Sequence, residues 1–483
     1  MRSLTSSLLA CLLIAMPSRA THAQPVVAGR VTPAEFATRR ARVIDEIGDG
    51  IAILQGTTER PGEQPLRQSN QFFYLTGVIE PRALLLIDGR TRRSTLYLSP
   101  SNARREQLMF GPALVPGDSA AKAIGIDAVA PRDSFTTALA AAGSASRVIY
   151  TPFRPEVLGS ASSSDAVGLA RATKNDPWDG RSSREEAFRQ KLAAAAPSSV
   201  LRDLDPIIDS LRGNKSSAEI AIIREATRIT GLAIMEAMRD ARVGMAEYEL
   251  QADAEFVFKK YGAYGAAYFA LIATGPNTFY SHYHKNTALL RDGDLVQFDY
   301  APDFEYYVSD VTRVFPANGR FTPRQREFYE IYLALYQDLM TSIRVHATAQ
   351  DVIKDAVLKM DSTMARYRFT DQKIRAAAQQ FVERYRASKA NSLGHTIGME
   401  VHDVRNPTLT FEPGQVFTIE PAMQIADEHI GIRLEDVILI TERGYENLSA
   451  FVPVEIKDIE RLMAERGLSD ARVDERRWKV PRP

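Results

Sequence analysis

Four acidic residues in the C-terminal half of the chain stand at or just after short apolar segments that have the composition of β-strands. They are Asp299, Asp310, Glu420 and Glu435. Carboxylates that converged in a sheet interior would repel one another, and burial would raise their pKa values unless cations neutralised them. Two divalent metal ions would balance four such charges. The residue types therefore indicate a candidate site for two metal ions.

His395 is the natural nitrogen ligand for this site. It stands in the sequence GHTIGMEVHD over residues 394–403, where flanking glycines let the backbone turn closely around a site. Oxygen-rich coordination with one or two imidazoles suits Mn²⁺, Co²⁺ or Zn²⁺. An isolated histidine is usually an ordinary core or surface residue, but the spacing Gly-His-x-x-Gly-x-x-x-His favours a functional role.

The composition excludes several other classes of protein. The chain has 483 residues, 60 Lys plus Arg and 60 Asp plus Glu, which argues against a nucleic-acid binder with its usual basic excess. One cysteine excludes a disulfide scaffold and a cysteine-ligated zinc module. Of the 7 histidines, none lies between residues 30 and 205. Chemistry that depends on imidazole is therefore expected only in the C-terminal part.

The first 23 residues have the pattern of an export signal. Arg2 supplies a positive start, residues 4–16 are mostly apolar, and small residues precede a cleavage point after Ala23. A membrane anchor is disfavoured because the apolar stretch is shorter than the ~20 residues that span a bilayer. A lipoprotein attachment at Cys11 is disfavoured because too little apolar sequence precedes it. We expect an exported protein, periplasmic or secreted, with no membrane attachment after signal cleavage.

The remaining chain divides into an α/β region over residues 31–205 and an α+β region over residues 212–460. In the first region, a helix beginning at Pro33 alternates with β-rich runs. The predicted strands are Gly50–Gln55, Phe72–Leu75, Ala83–Ile87 and Thr95–Leu98. The Ser- and Gly-rich stretch 157–183 is predicted to be a long loop or insertion.

The second region begins with a capping box formed by Ser216 and Glu219, which opens a long amphipathic helix. Further helices are expected over 247–261 and from Thr322 onward. The predicted strands are 295–298, 306–308, 416–419 and the segments within 431–440. Residues 461–483 are rich in Arg and Glu and are predicted to form a solvated charged tail.

An ordered set of motifs in the chain resembles Xaa-Pro aminopeptidase (aminopeptidase P) and prolidase, which are metal-dependent, proline-specific peptidases with the pita-bread fold. The catalytic motifs are Ser281–Tyr283, Asp292–Asp299, Ser309–Arg313, Gly394–His395, Thr418–Pro421 and Gly431–Asp436. In the N-terminal half, Arg67–Gly77 is similar to the creatinase-type domain that precedes these catalytic domains. The resemblance implies a creatinase-like N-terminal domain followed by a pita-bread (creatinase/aminopeptidase) catalytic domain.

The resemblance also implies roles for individual residues. The residues that would bind two metal ions are Asp299, Asp310, His395, Glu420 and Glu435. Manganese is the expected metal, with cobalt or zinc as alternatives, and a hydroxide between the ions would attack the carbonyl before proline.

The same resemblance implies functions for residues that handle protons and substrate. Glu420 would transfer the proton of the attacking water to the leaving nitrogen. His282 and His402 would act as catalytic and substrate-binding residues that stabilise the oxyanion, and Arg433 would be a substrate-pocket arginine. The expected partner is a peptide with proline at its second position, and a homo-oligomer, dimer or tetramer, is expected.

Asn391 departs from the family pattern, which usually has histidine four residues before the histidine ligand. Asn cannot titrate, so the strictness of proline selection is left open. Two further activities fit the same residues: a prolidase-like dipeptidase and a metallohydrolase of broader specificity. A non-catalytic peptide-binding protein is disfavoured because all five implied metal ligands are present.

Overall fold

The computed structural model of the chain describes residues 30–58, 65–99, 114–143, 147–157, 162–406 and 408–468. The expected signal peptide, 1–23, lies outside the described residues, as do residues 469–483 of the expected charged tail.

The helices, numbered in chain order over the described residues, are α1 Pro33–Ile47, α2 Asn70–Thr76, α3 Asp118–Ile124, α4 Phe135–Gly143, α5 Ser163–Asn175, α6 Arg184–Ala195, α7 Asp205–Gly213, α8 Ser217–Asp240, α9 Glu247–Lys260, α10 Pro323–Met340, α11 Ala349–Arg366, α12 Gln372–Ala387 and α13 Ile456–Met463. Short 3₁₀ turns lie at Arg132–Ser134, Gly275–Phe279 and Ala426–Glu428.

The strands of the same residues are β1 Ile51–Gln55, β2 Leu84–Asp88, β3 Arg93–Leu98, β4 Ala128–Pro131, β5 Ile149–Thr151, β6 Leu201–Asp203, β7 Gly265–Ala266, β8 Leu271–Thr274, β9 Leu295–Asp299, β10 Pro302–Phe304, β11 Tyr307–Val308, β12 Thr312–Pro316, β13 Val416–Ile419, β14 Ala422–Ile425, β15 Ile430–Arg433, β16 Asp436–Thr441 and β17 Gly444–Asn447.

The N-terminal region is built on a six-stranded sheet in the order β4-β3-β2-β1-β5-β6. The pairs β1–β2 and β2–β3 are antiparallel, and the pairs β1–β5, β3–β4 and β5–β6 are parallel. In its central strands, β1 and β2, the first four residues are apolar and buried, as is typical of a sheet covered on both faces. The α/β character predicted for this region is confirmed.

The catalytic region contains small antiparallel sheets flanked by long helices. The strands β8, β9 and β12 form one sheet, β13, β16 and β17 form another, and β14 pairs with β15. The helix pair α8 and α9 packs together, and α10, α11 and α12 form a second packed group. Three of the candidate acids adjoin the ends of these strands, since Asp299 ends β9, Glu420 follows β13 and Glu435 precedes β16.

The two regions share one hydrophobic core. At their junction the Phe73 ring stacks on the Tyr306 ring with centroids 3.6 Å apart, and the Gln68 amide donates to the Tyr306 hydroxyl at 2.9 Å. The N-terminal region is therefore packed directly against the catalytic elements.

Three local predictions from the sequence are wrong. Residues Phe72–Leu75 form helix α2 rather than a strand, because burial of all four side chains against the core overrides their β-propensity. The predicted loop 157–183 contains helix α5, which is capped by the Ser162 hydroxyl accepting from the Asp165 amide at 3.2 Å. The predicted charged tail begins inside helix α13, where Leu462 and Met463 are buried.

No helix in the part of the chain that the structure describes is both long and apolar enough to cross a membrane.

Candidate metal centre

Two strands of one sheet place the first two acids. Asp299 ends β9, and the antiparallel register sets it opposite Thr312 of β12. Asp310 lies in the short link between β11 and β12, so the chain returns it to the same sheet end. Both carboxylates are buried. The convergence that the sequence predicted for this pair is observed.

Glu435 comes from the second half of the catalytic region. It lies between β15 and β16, and its amide donates to the Thr312 carbonyl at 3.1 Å. The Thr312 hydroxyl donates to Glu435 Oε2 at 2.8 Å, and Arg313 Nη1 donates to the Glu435 carbonyl at 2.7 Å. These bonds fix the Glu435 backbone and one carboxylate oxygen to the strand that follows Asp310.

His395 faces three of the acids. Its Nε2 atom lies 3.3 Å from Glu420 Oε1, 3.5 Å from Asp310 Oδ2 and 3.7 Å from Glu435 Oε1. One ligand atom each of Asp310, His395 and Glu435 lies within 4.8 Å of the other two. Gly394 allows the loop to reach this position, because a Cβ there would lie 1.9 Å from the Thr418 carbonyl oxygen.

Tyr268 and Arg433 hold the carboxylates from the other side. The Tyr268 hydroxyl lies 2.6 Å from Asp299 Oδ1 and 2.7 Å from Asp310 Oδ1. Arg433 Nη2 forms an ion pair with Asp299 Oδ2, and its Nη1 lies 3.9 Å from Glu420 Oε2. The structure thus brings together all five sequence-predicted ligands and places Arg433 against them, with its side chain buried.

The electrostatics of the cluster show an excess of negative charge. Burial, reinforced by Asp299 and Glu420, raises the pKa of Asp310 well above its usual value. Burial, reinforced by Asp310, raises the pKa of Glu435 in the same way. Burial lowers the pKa of His395, but its hydrogen bond to Glu420 and the neighbouring carboxylates outweigh this effect and raise it.

The residues fit divalent metal ions. Glu435 Oε1 is buried and accepts no hydrogen bond from any residue in the described ranges, although it faces His395 Nε2. Buried carboxylate oxygens normally have partners. An oxygen without one, beside an imidazole nitrogen and three further acids, is the donor set that binds a hard or borderline cation.

The two histidines implied to handle substrate lie at the open side of the centre. The His402 ring centroid is 4.1 Å from that of His395, and His282 is close enough for its charge to act on His402. Partial desolvation, followed by repulsion from His395, lowers the pKa of His402. A cavity of about 920 Å³ opens beside His395 and His402, and Asn391 lines it.

Sequence reasoning missed Tyr268. It precedes strand β8, whose first residue, Leu271, pairs with Asp299. The pairing of β8 with β9 is the signal that could have predicted a tyrosine hydroxyl near the acids. Strand register, however, is not evident from amino-acid composition. The N-terminal end of helix α5 was missed too. Ser163 and Ser164 line the cavity from a segment that had been predicted to be a loop.

The comparisons with known families agree with this geometry. The sequence profile of metallopeptidase family M24 matches residues 221–442, and that of the aminopeptidase P N-terminal domain matches residues 36–150. The first match contains all five clustered ligands. The second contains β1 to β4, most of the six-stranded sheet.

Individual relatives cover nearly the whole chain. An Xaa-Pro aminopeptidase of Escherichia coli (strain K12) is 31% identical over 452 residues, which cover 89% of this chain and 97% of the relative. Human Xaa-Pro aminopeptidase 3 is 27% identical, with coverage of 94% and 91%.

Solved structures show the same architecture. Aminopeptidase P from E. coli with the inhibitor Pro-Leu has a TM-score of 0.70 at 29% identity, covering 90% of this chain and 99% of the other. Proline aminopeptidase P II from Yersinia pestis has a TM-score of 0.69 at 31% identity, covering 90% and 100%. The chain belongs to the aminopeptidase P family of M24 metallopeptidases, with the N-terminal domain and pita-bread catalytic domain of that family.

Proposed function

We propose that this metallo-exopeptidase removes the N-terminal residue from peptides that carry proline at the second position, using two divalent metal ions. Its relatives in Escherichia coli and Haemophilus influenzae are Xaa-Pro aminopeptidases, which supports the reaction. The observation that carries the metal assignment is the buried Glu435 Oε1, which lacks a hydrogen-bond partner among the described residues and faces His395 across a cluster of acids.

The residues that would hold the ions are Asp299, Asp310, His395, Glu420 and Glu435. When bound, the ions lower the pKa of coordinated water and polarise the scissile carbonyl. The chain itself supplies a preformed cage, because the Thr312 hydroxyl and the Arg313 guanidinium fix Glu435 before any ligand arrives.

Glu420 is suited to move the proton. Burial raises its pKa, but its contact with His395 and the charge of Arg433 outweigh burial and lower it, so Glu420 is ionised at neutral pH. Its side chain is 31% exposed, whereas those of Asp299, Asp310 and Glu435 are almost fully buried. An ionised carboxylate at the open edge can accept a proton from water and deliver it to the departing proline nitrogen.

We propose that His282 and His402 bind the substrate carbonyl. With its pKa lowered, His402 is neutral at pH 7 and offers one ring N–H as a hydrogen-bond donor. A donor aimed at the position where negative charge develops stabilises the tetrahedral state more than the ground state. We assign His282 and His402 this role, and Arg433 the support of Asp299 and Glu420.

The cavity favours longer peptides over dipeptides. Its volume of about 920 Å³ is near the upper end of the range of small-molecule sites, and Asn391, His395 and His402 line it. The amide of Asn391 cannot titrate, so we propose that proline is selected by the shape of this cavity rather than by a proton network at residue 391.

Hydrolysis of matched peptides tests the function. The purified chain, supplied with Mn²⁺, Co²⁺ or Zn²⁺, would be assayed on Xaa-Pro dipeptides, longer Xaa-Pro peptides and the same peptides with Ala at the second position. We expect cleavage of the longer Xaa-Pro series, with manganese the most effective ion. Cleavage restricted to dipeptides would indicate a prolidase-like activity, and equal cleavage of the Ala series would refute proline selection.

Location and assembly are part of the proposal. The charged start and apolar stretch of residues 1–23 support export, and N-terminal sequencing of secreted or periplasmic protein should begin at Gln24.

Exposed aromatic side chains on α9, Tyr248 and Phe256, support a homo-oligomer, dimer or tetramer. Light scattering at several protein concentrations measures that state, and a monomer throughout would refute it.

A further inference from the structure

We infer that Arg212 and Lys215 position His402 for the reaction by holding the two acidic residues that flank it, Glu400 and Asp403. This inference rests on the proposed function, because it assigns a task to a histidine of that site. We call these four charged residues, Arg212, Lys215, Glu400 and Asp403, the clamp.

The His402 ring contacts the His395 ring, with centroids 4.1 Å apart. The His402 side chain is exposed, whereas Val401 and Asp403 on either side are buried. The loop closes below it, where the Asp403 amide donates to the Thr396 carbonyl at 2.9 Å and the Thr396 hydroxyl donates to the Asp403 carbonyl at 2.7 Å. The position of the imidazole therefore depends on the backbone of Glu400 to Asp403 as well as on its contact with the His395 ring.

The guanidinium of Arg212 binds both ends of the segment from Glu400 to Asp403. Arg212 Nη2 donates to Glu400 Oε1 at 3.0 Å and also forms an ion pair with Asp403 Oδ1. Lys215 Nζ donates to Asp403 Oδ2 at 3.1 Å. All four side chains are at most 2% exposed. His402 lies between the two acids that Arg212 joins, so a shift of the guanidinium would move the histidine.

The clamp also forms hydrogen bonds with the N-terminal region. Glu400 Oε1 accepts from Asn70 Nδ2 at 3.1 Å, and Glu400 Oε2 accepts from the Ser163 amide at the start of α5 at 3.0 Å. Arg212 Nη1 donates to Gln71 Oε1 at 3.1 Å. Helices α2 and α5 thus contact the catalytic loop through the same charged groups that hold His402.

Stability alone does not explain the clamp. Replacing a buried ion pair by well-packed apolar residues is often neutral or stabilising, because removing charges from water offsets their attraction. What a charged network provides is a fixed geometry, since its directional bonds tolerate little displacement. Fixed geometry matters most beside a reacting group, where a misplacement of about 1 Å lowers rates about 100-fold.

The kinetic test combines clamp variants with removal of the histidine. Asp403→Asn and Lys215→Met would each be made in the full-length, metal-loaded protein with His402 present and with His402→Gln. With His402 present, we expect kcat to fall about 10- to 100-fold and KM to change much less. With His402→Gln, the same variants should lower kcat no further. An equal loss in both backgrounds would overturn the inference.

A spectroscopic test is independent of activity. With ¹⁵N-labelled histidine, the His402 ring signals are identified by their loss in His402→Gln. In Lys215→Met they should shift, while those of His346 and His429 stay in place. Unchanged His402 signals would overturn the inference. If the wild-type chain does not cleave Xaa-Pro peptides, the proposed function fails, yet this measurement still decides whether the clamp positions His402.

A matched control separates positioning from general destabilisation. Arg147 and Asp88 form another ion pair in the N-terminal region, with Nη2 and Oδ1 2.6 Å apart. Asp88→Asn should lower the unfolding temperature without changing kcat. If it lowers kcat as much as Asp403→Asn does, the clamp has no special role. If Asp403→Asn does not fold, Lys215→Met carries the test, because it leaves Arg212 paired with both acids.

Discussion

The clamp and the candidate metal centre are two buried charge clusters beside the same loop, residues 394–403. They differ in the balance of positive and negative charge. In the clamp, Glu400 and Asp403 meet Arg212 and Lys215, so the cluster contains two acids and two cations. In the metal centre, four acids meet one arginine, one histidine and a tyrosine hydroxyl.

The pKa directions follow from that difference. Burial raises the pKa of Asp403, but Arg212 and Lys215 outweigh it, and the net pKa is lowered. At Asp310 burial and neighbouring acids act together, and the pKa is raised. The charges of the clamp are balanced by the chain's own cations, whereas the unmatched acids would be balanced by the divalent metal ions that the family implies.

The largest effect is expected from Asp310→Asn. Removing one of the proposed metal ligands should lower kcat/KM by more than about 1,000-fold, because the proposed centre loses its geometry. The metal-free variant should unfold at the same temperature as the metal-free wild type or higher, since one mismatched charge is gone. Peptide hydrolysis, elemental analysis and thermal unfolding measure these effects. Wild-type turnover with an unchanged metal content would refute the role of Asp310.

Arg212→Met, unlike Asp310→Asn, should lower the free energy of unfolding. It leaves Glu400 and Asp403 buried without their shared cation, and breaking such a pair costs about 3–5 kcal/mol of unfolding free energy. Denaturant unfolding with and without metal measures the loss. A loss below about 1 kcal/mol would show that Arg212 does not balance the buried charges of Glu400 and Asp403.

The pH dependence of stability should distinguish the clusters in the metal-free protein. The pKa values of Asp310 and Glu435 are raised, so the folded state holds protons that the unfolded chain releases above the usual values of 3.8 and 4.5. Stability from this cluster is therefore present at low pH and falls as the pH rises above about 4. The pKa of Asp403 is lowered, so its contribution is present above 3.8 and is lost at lower pH.

Denaturant unfolding at several pH values in a chelator tests these signs. Asp310→Asn should flatten the decline above pH 4, and saturating metal should abolish it. A metal-free protein whose stability rises from pH 5 to 8 would contradict the assignment of charge.

A smaller effect is expected at Asp253, an acid on α9. Burial and the neighbouring Asp240 raise its pKa to about 8. Because a raised carboxyl pKa lowers stability as the pH rises toward that value, Asp253→Asn should stabilise the protein at pH 8 by about 1–2 kcal/mol. Its effect on hydrolysis should be negligible. A loss of stability would show that the Asp253 carboxylate has a favourable partner.

The convergence of the acids could be predicted from the sequence because each of them lies in a strand or within two residues of one. Asp299, Asp310 and Glu435 adjoin apolar runs, and strand ends that meet at one sheet edge bring their residues together. The motif around His395 added the nitrogen ligand. Local sequence thus carried most of the site, and the family relation agrees with it.

The errors concern features that tertiary contacts decide. Residues 72–75 have strand-like composition but are helical because the core buries all four of them. Helix α5 has no buried residue within its span, so it offered no amphipathic pattern to detect. The clamp could not be predicted because Arg212 and Asp403 are far apart in the chain, and neither lies in a motif that indicates their pairing.

Titration calorimetry of the metal-free chain with Mn²⁺ tests the central claim most directly. If the mismatched cluster is the metal centre, the wild type should bind two ions per chain with release of protons, and Glu435→Gln should lose this binding. The clamp variant Lys215→Met should still bind two. Absence of Mn²⁺ binding to the wild type, or unaltered binding by Glu435→Gln, would contradict the account.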